Sequence, residues 1–480
     1  MREGTQRSKE GTILELSAEA WAKQQWGTVR LGDRRRTERA VEMGMRMAAH
    51  PEASLPTQMG SKGALKGAYR LLNHAEVTLE ALTESHREQT LAAAGQQMIV
   101  LMAEDTTELD YTYHRSKTGL GPIGDGKGKG LLLHSTLAIT PGTRQILGLA
   151  HVQVVLRVAT PEKPQRKWAR SPEGLLWDAS AEAVGQPPAG VMWMHVSDRG
   201  SDVFTYMAIC VESGKHFLIR AQLNRLLTWE EDSPEASDPA ARALMDYARS
   251  LPIVPESVYE QHVPKRGKWA AREAQVGLGW AKVTISPPAQ APREVRQHQS
   301  FEAWVLRVSE IDPPPDVEPL EWILLVSMPI QSVADARRMM DWYTCRWLCE
   351  DYHQCLKTGC QIEHSQLDDG ADIQRLLGFS APIAVRLLQL RQAVRVTPDT
   401  PAIELIDPLM VRVLSHLRKL DLHMSIQTFW RQVAQLGGHQ GRKSDGPPGW
   451  RTLWHGWRYL SDLTQGAQLY ASFNPPSNSS

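Results

Sequence analysis

Four short apolar runs limit the fold most. Residues 97–107, 191–196, 215–220 and 320–329 are rich in Ile, Val, Leu, Met and Trp and are too brief for buried helices. Such runs read as central strands of a sheet covered on both faces. Two further strand-like stretches, 130–139 and 144–158, follow the first run as an antiparallel meander. Residues 173–186 and 201–213 read as helices between runs. The fold class this predicts is α/β, a mixed sheet flanked by helices.

The ends of two of these runs carry acids. The first closes on Glu104-Asp105-Thr106-Thr107, with Asp105 expected just past the strand end. The second closes on Ser197-Asp198-Arg199, which repeats that arrangement. Sites in α/β proteins usually assemble at such strand ends. A third acid lies on residues 333–359, a stretch without interior Pro or Gly, capped by Ser332 and closed by Gly359. Read as one helix, it brings Tyr343, Arg346, Glu350 and Lys357 into an arc of roughly 60°. Cys345, Leu348, Cys349, Tyr352, Leu356 and Cys360 fall on the other side and are expected to pack inward. Asp105, Asp198 and Glu350 would form an all-oxygen site. That donor set implies hard cations, Mg²⁺ or Mn²⁺, two ions per site. Paired ions can activate a water or a 3′-hydroxyl and stabilise the leaving oxygen of a phosphodiester, the chemistry of nucleases and strand transfer.

Four of the five cysteines lie between 345 and 360. On one helix Cys345 and Cys360 would be roughly 22 Å apart, too far to share a tetrahedral zinc. Buried reduced thiols are expected instead. The 480-residue chain has no net charge, so nucleic acid must be bound by local patches. One such patch spans residues 27–70, where nine Lys and Arg face four Asp and Glu. Two helices are expected there, 33–49 and 61–72, with Arg39, Lys62 and Arg70 as candidate DNA contacts or solvated surface. Residues 119–124 fit G-x-G-x-x-G, yet Gly128 follows Lys127 where a phosphate-binding loop needs Ser or Thr. A mobile basic loop with Lys127 and Lys129 is expected. Arg220, at the end of the third run, is another candidate DNA contact. Residues 252–317, rich in Pro, Val and alternating polar residues, read as short strands and turns within an insertion at 222–318. Its Lys265-Arg266-Gly-Lys268-Trp269 turn suits a phosphate backbone or a plain hairpin tip. Helices are expected over 372–394, 401–420, 425–436 and 450–463, and the first twelve and last ten residues read as unstructured. No apolar run is long enough to span a membrane and the N-terminus is polar, so a cytoplasmic protein is expected.

The string Tyr343-x2-Arg346-x3-Glu350-x6-Lys357, with Asp105 and Asp198, resembles the cut-and-paste DDE transposases of bacterial insertion sequences, the IS-four family, and within it the Tn-five branch. Residues 31–39, 67–70, 104–107, 322–325, 384–391 and 450–457 extend the resemblance over nearly the whole chain. It implies an RNase H-like core at 79–385 with a β-rich insertion at about 222–318. A helical DNA-binding domain would occupy 1–78, and a helical dimerisation domain 386–480. Asp105, Asp198 and Glu350 would be catalytic metal ligands. Tyr343, Arg346 and Lys357 would grip a phosphate, and Arg39 and Arg70 the transposon end. Trp322 would stack on a flipped base, or be a core Trp on a strand. The implied activity is nicking of transposon ends, hairpin closure and opening, and joining of 3′-hydroxyl ends to target DNA. The partners are double-stranded DNA and a second copy of the chain, in a bacterial nucleoid-associated setting. The alternatives are a transposase-derived repressor and a general RNase H-like nuclease.

Overall fold

The computed structural model describes residues 18–157, 172–229, 233–263, 270–442 and 448–473. The turn at Lys265, Arg266 and Lys268 lies outside them, as do the first twelve residues and all but the first three of the last ten.

Four helices open the chain: α1 (Ala18–Trp26), α2 (Arg34–Ala49), α3 (Leu55–Met59) and α4 (Lys62–Leu72). Asp33 caps α2 by accepting from the Arg35 amide at 2.8 Å, and Ser61 caps α4 by accepting from the Ala64 amide at 3.2 Å. Ala40, Met43, Gly44 and Met47 form the buried stripe of α2. Gly44 is required there, since a Cβ would lie 2.2 Å from the Trp26 ring. The opposite surface carries the cations. Lys62, Lys66 and Arg70 recur every four residues along α4 and are all exposed.

Helix α5 (Leu79–Ala94) leads into the sheet: β1 (Ile99–Asp110), β2 (Gly121–Ile123), β3 (Gly128–Ile139), β4 (Ile146–Val155), then α6 (Leu176–Val184), β5 (Met192–Ser197), α7 (Phe204–Glu212) and β6 (His216–Arg220). After β6 come α8 (Leu244–Ser250), β7 (Tyr259–Val263), β8 (Arg272–Ile285), α9 (Arg293–Arg296), β9 (Phe301–Glu310) and β10 (Glu321–Val326). All ten strands form one mixed sheet, ordered β2-β3-β1-β5-β6-β10-β9-β8-β7, with β4 beside β3. The ladders β1–β5 and β5–β6 are parallel, and the others antiparallel. One face buries Leu101, Ala103, Met194, Val196 and Leu324 with the helices after β10. On the other face Phe217, Ile219 and Leu325 pack with Trp177, Phe204 and Tyr206 of α6 and α7.

The insertion differs from the expected short strands. β8 and β9 are long, and β10 couples them to the main sheet; residues 234–250 are helical turns and α8 instead. Residues 121–130 form a hairpin in which β2 pairs with β3, not a loose loop.

The stretch at 333–359 is not one helix. It divides into α10 (Val333–Thr344), α11 (Trp347–Gln354) and a π turn at Cys355–Gly359. The cause is local competition for carbonyls. Thr344 Oγ1 donates to the Asp341 carbonyl at 2.6 Å and Cys345 Sγ to the same oxygen at 3.7 Å. The Cys345 amide then bonds Trp342 instead, one residue nearer. At the other end Thr358 Oγ1 occupies the Gln354 carbonyl at 2.7 Å, and the Cys360 amide reaches back five residues to Cys355.

Helices α12 (Gly370–Val396), α13 (Ala402–Leu405), α14 (Pro408–Arg418), α15 (Ile426–Leu436) and α16 (Trp450–Phe473) complete the chain. α12 runs unbroken across 385–386, where a domain boundary was expected. The single helix expected over 401–420 is divided at Ile406, whose backbone is extended, before the Asp407 cap of α14. Among the described residues no helix is long and apolar enough to cross a membrane.

Candidate active site

Strand register brings the first two acids together. Glu104 pairs with Ser197 on the parallel β1–β5 ladder. Asp105 and Asp198 each follow by one residue, Asp105 within β1 and Asp198 just past the end of β5, near enough for their charges to interact. Asp198 caps the short turn Arg199–Ser201, its Oδ1 accepting from the Gly200 amide at 2.8 Å. Asp105 is not past a strand end, as expected, but inside β1, which continues to Asp110. Beyond Glu104 the strand keeps β3 as a neighbour but loses β5. That half-open edge explains why its sequence turns polar.

The third acid joins through an arginine. Arg346, at the α10–α11 break, reaches Glu350 Oε1 at 2.6 Å and Asp105 Oδ2 at 3.5 Å. Asp105 has 16% of its side chain exposed and Glu350 55%, so the site is open on the Glu350 side. Burial pushes the Asp105 carboxyl up to about 7; Arg346 opposes the shift, and the charges of Asp198 and Glu350 add to it. Burial disfavours the Arg346 charge, but Asp105, Tyr343 and Glu350 outweigh it. Arg346 Nε is buried without a partner.

Other predicted residues divide into two groups. Tyr343 is buried beside Arg346, not presented to solvent; burial raises its phenol while Arg346 and Arg220 oppose the shift. Trp322 on β10 lies 5.7 Å, ring to ring, from Tyr343. Arg220, at the end of β6, feels Arg199, Tyr343 and Arg346, and its Nη2 donates to the Glu321 carbonyl at 3.0 Å. These residues surround the acids. Lys357 lies on the π turn that follows α11 and pairs with Glu363 at 3.6 Å. Lys127 is exposed and pairs with Asp125 at 3.2 Å, while Lys129 donates to the Lys117 carbonyl. Arg39 pairs with Glu42 at 3.0 Å on α2, and Lys62 and Arg70 face solvent on α4. The cysteines are free thiols, buried apart from the partly exposed Cys360, and burial pushes Cys345 up to about 11.

Sequence reasoning left out Glu104 as a site neighbour. It is fully buried, and His195 Nδ1 lies 2.9 Å from its Oε1. Burial pushes its carboxyl up, but His195 above all, with His134 and Tyr206, holds it down at about 2. The signal was present: a charged residue inside an apolar run, next to a second one, must face the opposite side of the sheet and find partners there.

The donor chemistry of Asp105, Asp198 and Glu350 fits a hard divalent cation. All are carboxylates; Asp105 is raised first by burial, with the charges of Asp198 and Glu350 adding to it. In the arrangement described, the Arg346 guanidinium supplies part of that charge. Among the described residues, no three His, Cys, Asp or Glu side chains are already grouped closely enough to hold one ion.

Residues 18–77 match the family model described as transposase DNA-binding. Among solved structures, the chain is similar to one in a cryo-EM structure of a piggyBac transposase synaptic complex with hairpin DNA. The identity is 10% and the TM-score 0.31, over 81% of this chain and 57% of that one.

Proposed function

We propose that the chain is a DNA transposase of the DDE type, with an RNase H-like core. The N-terminal helices bind the inverted repeats at transposon ends. The core cuts both strands by Mg²⁺-dependent hydrolysis and hairpin formation, then joins the 3′-hydroxyl ends to target DNA, two protomers acting as a homodimer on two ends. The carrying observation is the β1–β5 register, which sets Asp105 beside Asp198 while Arg346 links Asp105 to Glu350. The match of residues 18–77 to a transposase DNA-binding model, and the exposed row Lys62, Lys66 and Arg70, support the binding half of the reading.

Asp105, Asp198 and Glu350 would hold the two divalent ions. Bound there, such ions lower the pKa of a water or 3′-hydroxyl and stabilise the leaving oxygen. Arg346 turns from Glu350 toward a DNA phosphate, which its unpartnered Nε can also meet. Tyr343 orients Arg346 from within the core, and Lys357 meets the phosphate from the π turn once released from Glu363. Trp322, beside Tyr343, offers an aromatic face for an unstacked base.

The test uses DNA carrying the inverted repeats that flank the gene. Wild type should nick it with Mg²⁺ and not with chelator present. Glu350→Gln should keep end binding and lose cleavage by a factor on the order of 10³ or more. Cleavage by this variant at the wild-type rate would refute the assignment. End binding without any cleavage by wild type would favour the repressor, and cleavage blind to end sequence the general nuclease.

A further inference from the structure

Behind the candidate site, on the other face of the sheet, lies a second constellation. Glu104 Oε1 accepts from Ser180 Oγ of α6 at 2.8 Å and from Thr136 Oγ1 of β3 at 3.3 Å, and it meets His195 Nδ1 of β5 at 2.9 Å. Its Oε2 accepts from the Tyr206 hydroxyl of α7. The network continues past the carboxylate. Tyr206 Oη lies 3.4 Å from Ser197 Oγ, Ser197 donates to Ser201 Oγ at 2.6 Å, and Ser201 donates to the Asp198 carbonyl at 2.7 Å. Tyr206 and Ser197 each donate their one hydroxyl hydrogen elsewhere, so the two bonded groups meet there by packing, and together they run from the residue before one aspartate to the backbone of the other. Glu104, Ser197 and Ser201 are all completely buried.

Stability alone does not require this arrangement. A buried carboxylate forfeits several kcal/mol of hydration, and apolar residues of similar size often do as well or better. The flanking same-face positions Val100 and Met102 are apolar and fully buried. A carboxylate adds direction. It accepts from donors fixed on β3, β5, α6 and α7, and so ties those elements to β1 at one height.

We propose that Glu104 is a positioning residue: through Tyr206, Ser197 and Ser201 it fixes the site ends of β1 and β5, and thereby the spacing of Asp105 and Asp198 on which divalent-cation affinity depends. The inference rests on reading those aspartates as cation ligands. It assigns Glu104 the role that carboxylates beyond the direct ligands play at metal sites, where their loss weakens affinity by about 10–100-fold.

The experiment titrates Mn²⁺ into the full chain, following the electron paramagnetic resonance signal of the free ion, with end-DNA cleavage measured in parallel. Glu104→Gln should weaken Mn²⁺ binding by about 10-fold or more and raise the Mn²⁺ needed for half-maximal cleavage in step. End-DNA binding should not change, and excess Mn²⁺ should restore most of the cleavage. Tyr206→Phe, which removes one hydroxyl, should shift both readouts in the same direction by about 3-fold. A purely structural role would lower the thermal midpoint and leave the Mn²⁺ affinity of the folded protein at the wild-type value, and that result overturns the proposal. Should Glu104→Gln fail to fold, Tyr206→Phe decides by the same criterion. Asp105→Asn separates the two levels. If it abolishes Mn²⁺ binding while Glu104→Gln and Tyr206→Phe bind as wild type, only the positioning role fails. If it binds Mn²⁺ as wild type does, the reading of the aspartates fails, and the positioning role with it.

Discussion

Two adjacent carboxylates of β1 have opposite surroundings. Glu104 is enclosed by Ser180, Thr136, His195 and Tyr206 and is held down at about 2. Asp105 is pushed up to about 7, first by burial and then by Asp198 and Glu350, against only a share of Arg346 and one backbone amide, from Thr106. The strand pleat alone separates them. A carboxylate that meets enough donors becomes part of the scaffold. One left short of donors, among like charges, is poised to take up positive charge from outside.

The largest effect expected from breaking this contrast is on activity. Asp105→Asn keeps the shape and removes the charge. Cleavage of end DNA should fall by a factor on the order of 10³ or more, with end binding retained. Residual cleavage within tenfold of wild type would mean that Asp105 is not a ligand.

Stability should move in opposite directions on the two faces. With chelator present, Asp105 is a folded-state group whose pKa is raised from 3.8 to about 7. Wild-type stability is then full below about pH 4, declines as pH rises through 7, and levels off above. Asp105→Asn escapes that decline and should be more stable at pH 8 by about 4 kcal/mol. Glu104, lowered from 4.5 to about 2, contributes stability that is present above pH 4.5 and lost as pH falls through 2. Glu104→Gln should therefore cost about 3 kcal/mol at pH 7, with the gap closing in acid. Denaturant unfolding across this pH range checks both signs. Like signs for the two variants would dissolve the contrast.

The same contrast explains what could be read from the sequence. The apolar runs declared a mixed sheet because a strand buried on both faces needs continuous apolar residues. Asp198 was legible at its strand end, because Val191–Val196 stops where the chain turns. The length of β1 was not, since residues 106–110 are strand by pairing with β3 alone and carry polar residues. The division of 333–359 was illegible for another reason. Ordinary helix formers fill it, and the break arises from which carbonyl Thr344 and Cys345 occupy. At that break Arg346 links Asp105 and Glu350, while Lys357 on the later π turn pairs with Glu363, contacts that a single straight helix does not foretell.

The finest test asks how many donors separate a scaffold carboxylate from a poised one. Thr136 Oγ1 is the most distant of the four groups on Glu104, at 3.3 Å, and also meets Ser180 Oγ at 2.7 Å. Thr136→Val keeps the volume and removes the hydroxyl. If the donors act additively, the loss should be about 1 kcal/mol, read from the denaturant midpoint at pH 7, with cleavage nearly unchanged. If the Ser180 hydroxyl, freed from Thr136, tightens on Glu104, the loss should approach zero. A loss of about 3 kcal/mol, equal to that of Glu104→Gln, would mean that the network acts as one unit. In that case Glu104 would resemble Asp105 more than its surroundings suggest, one donor short of a raised carboxyl.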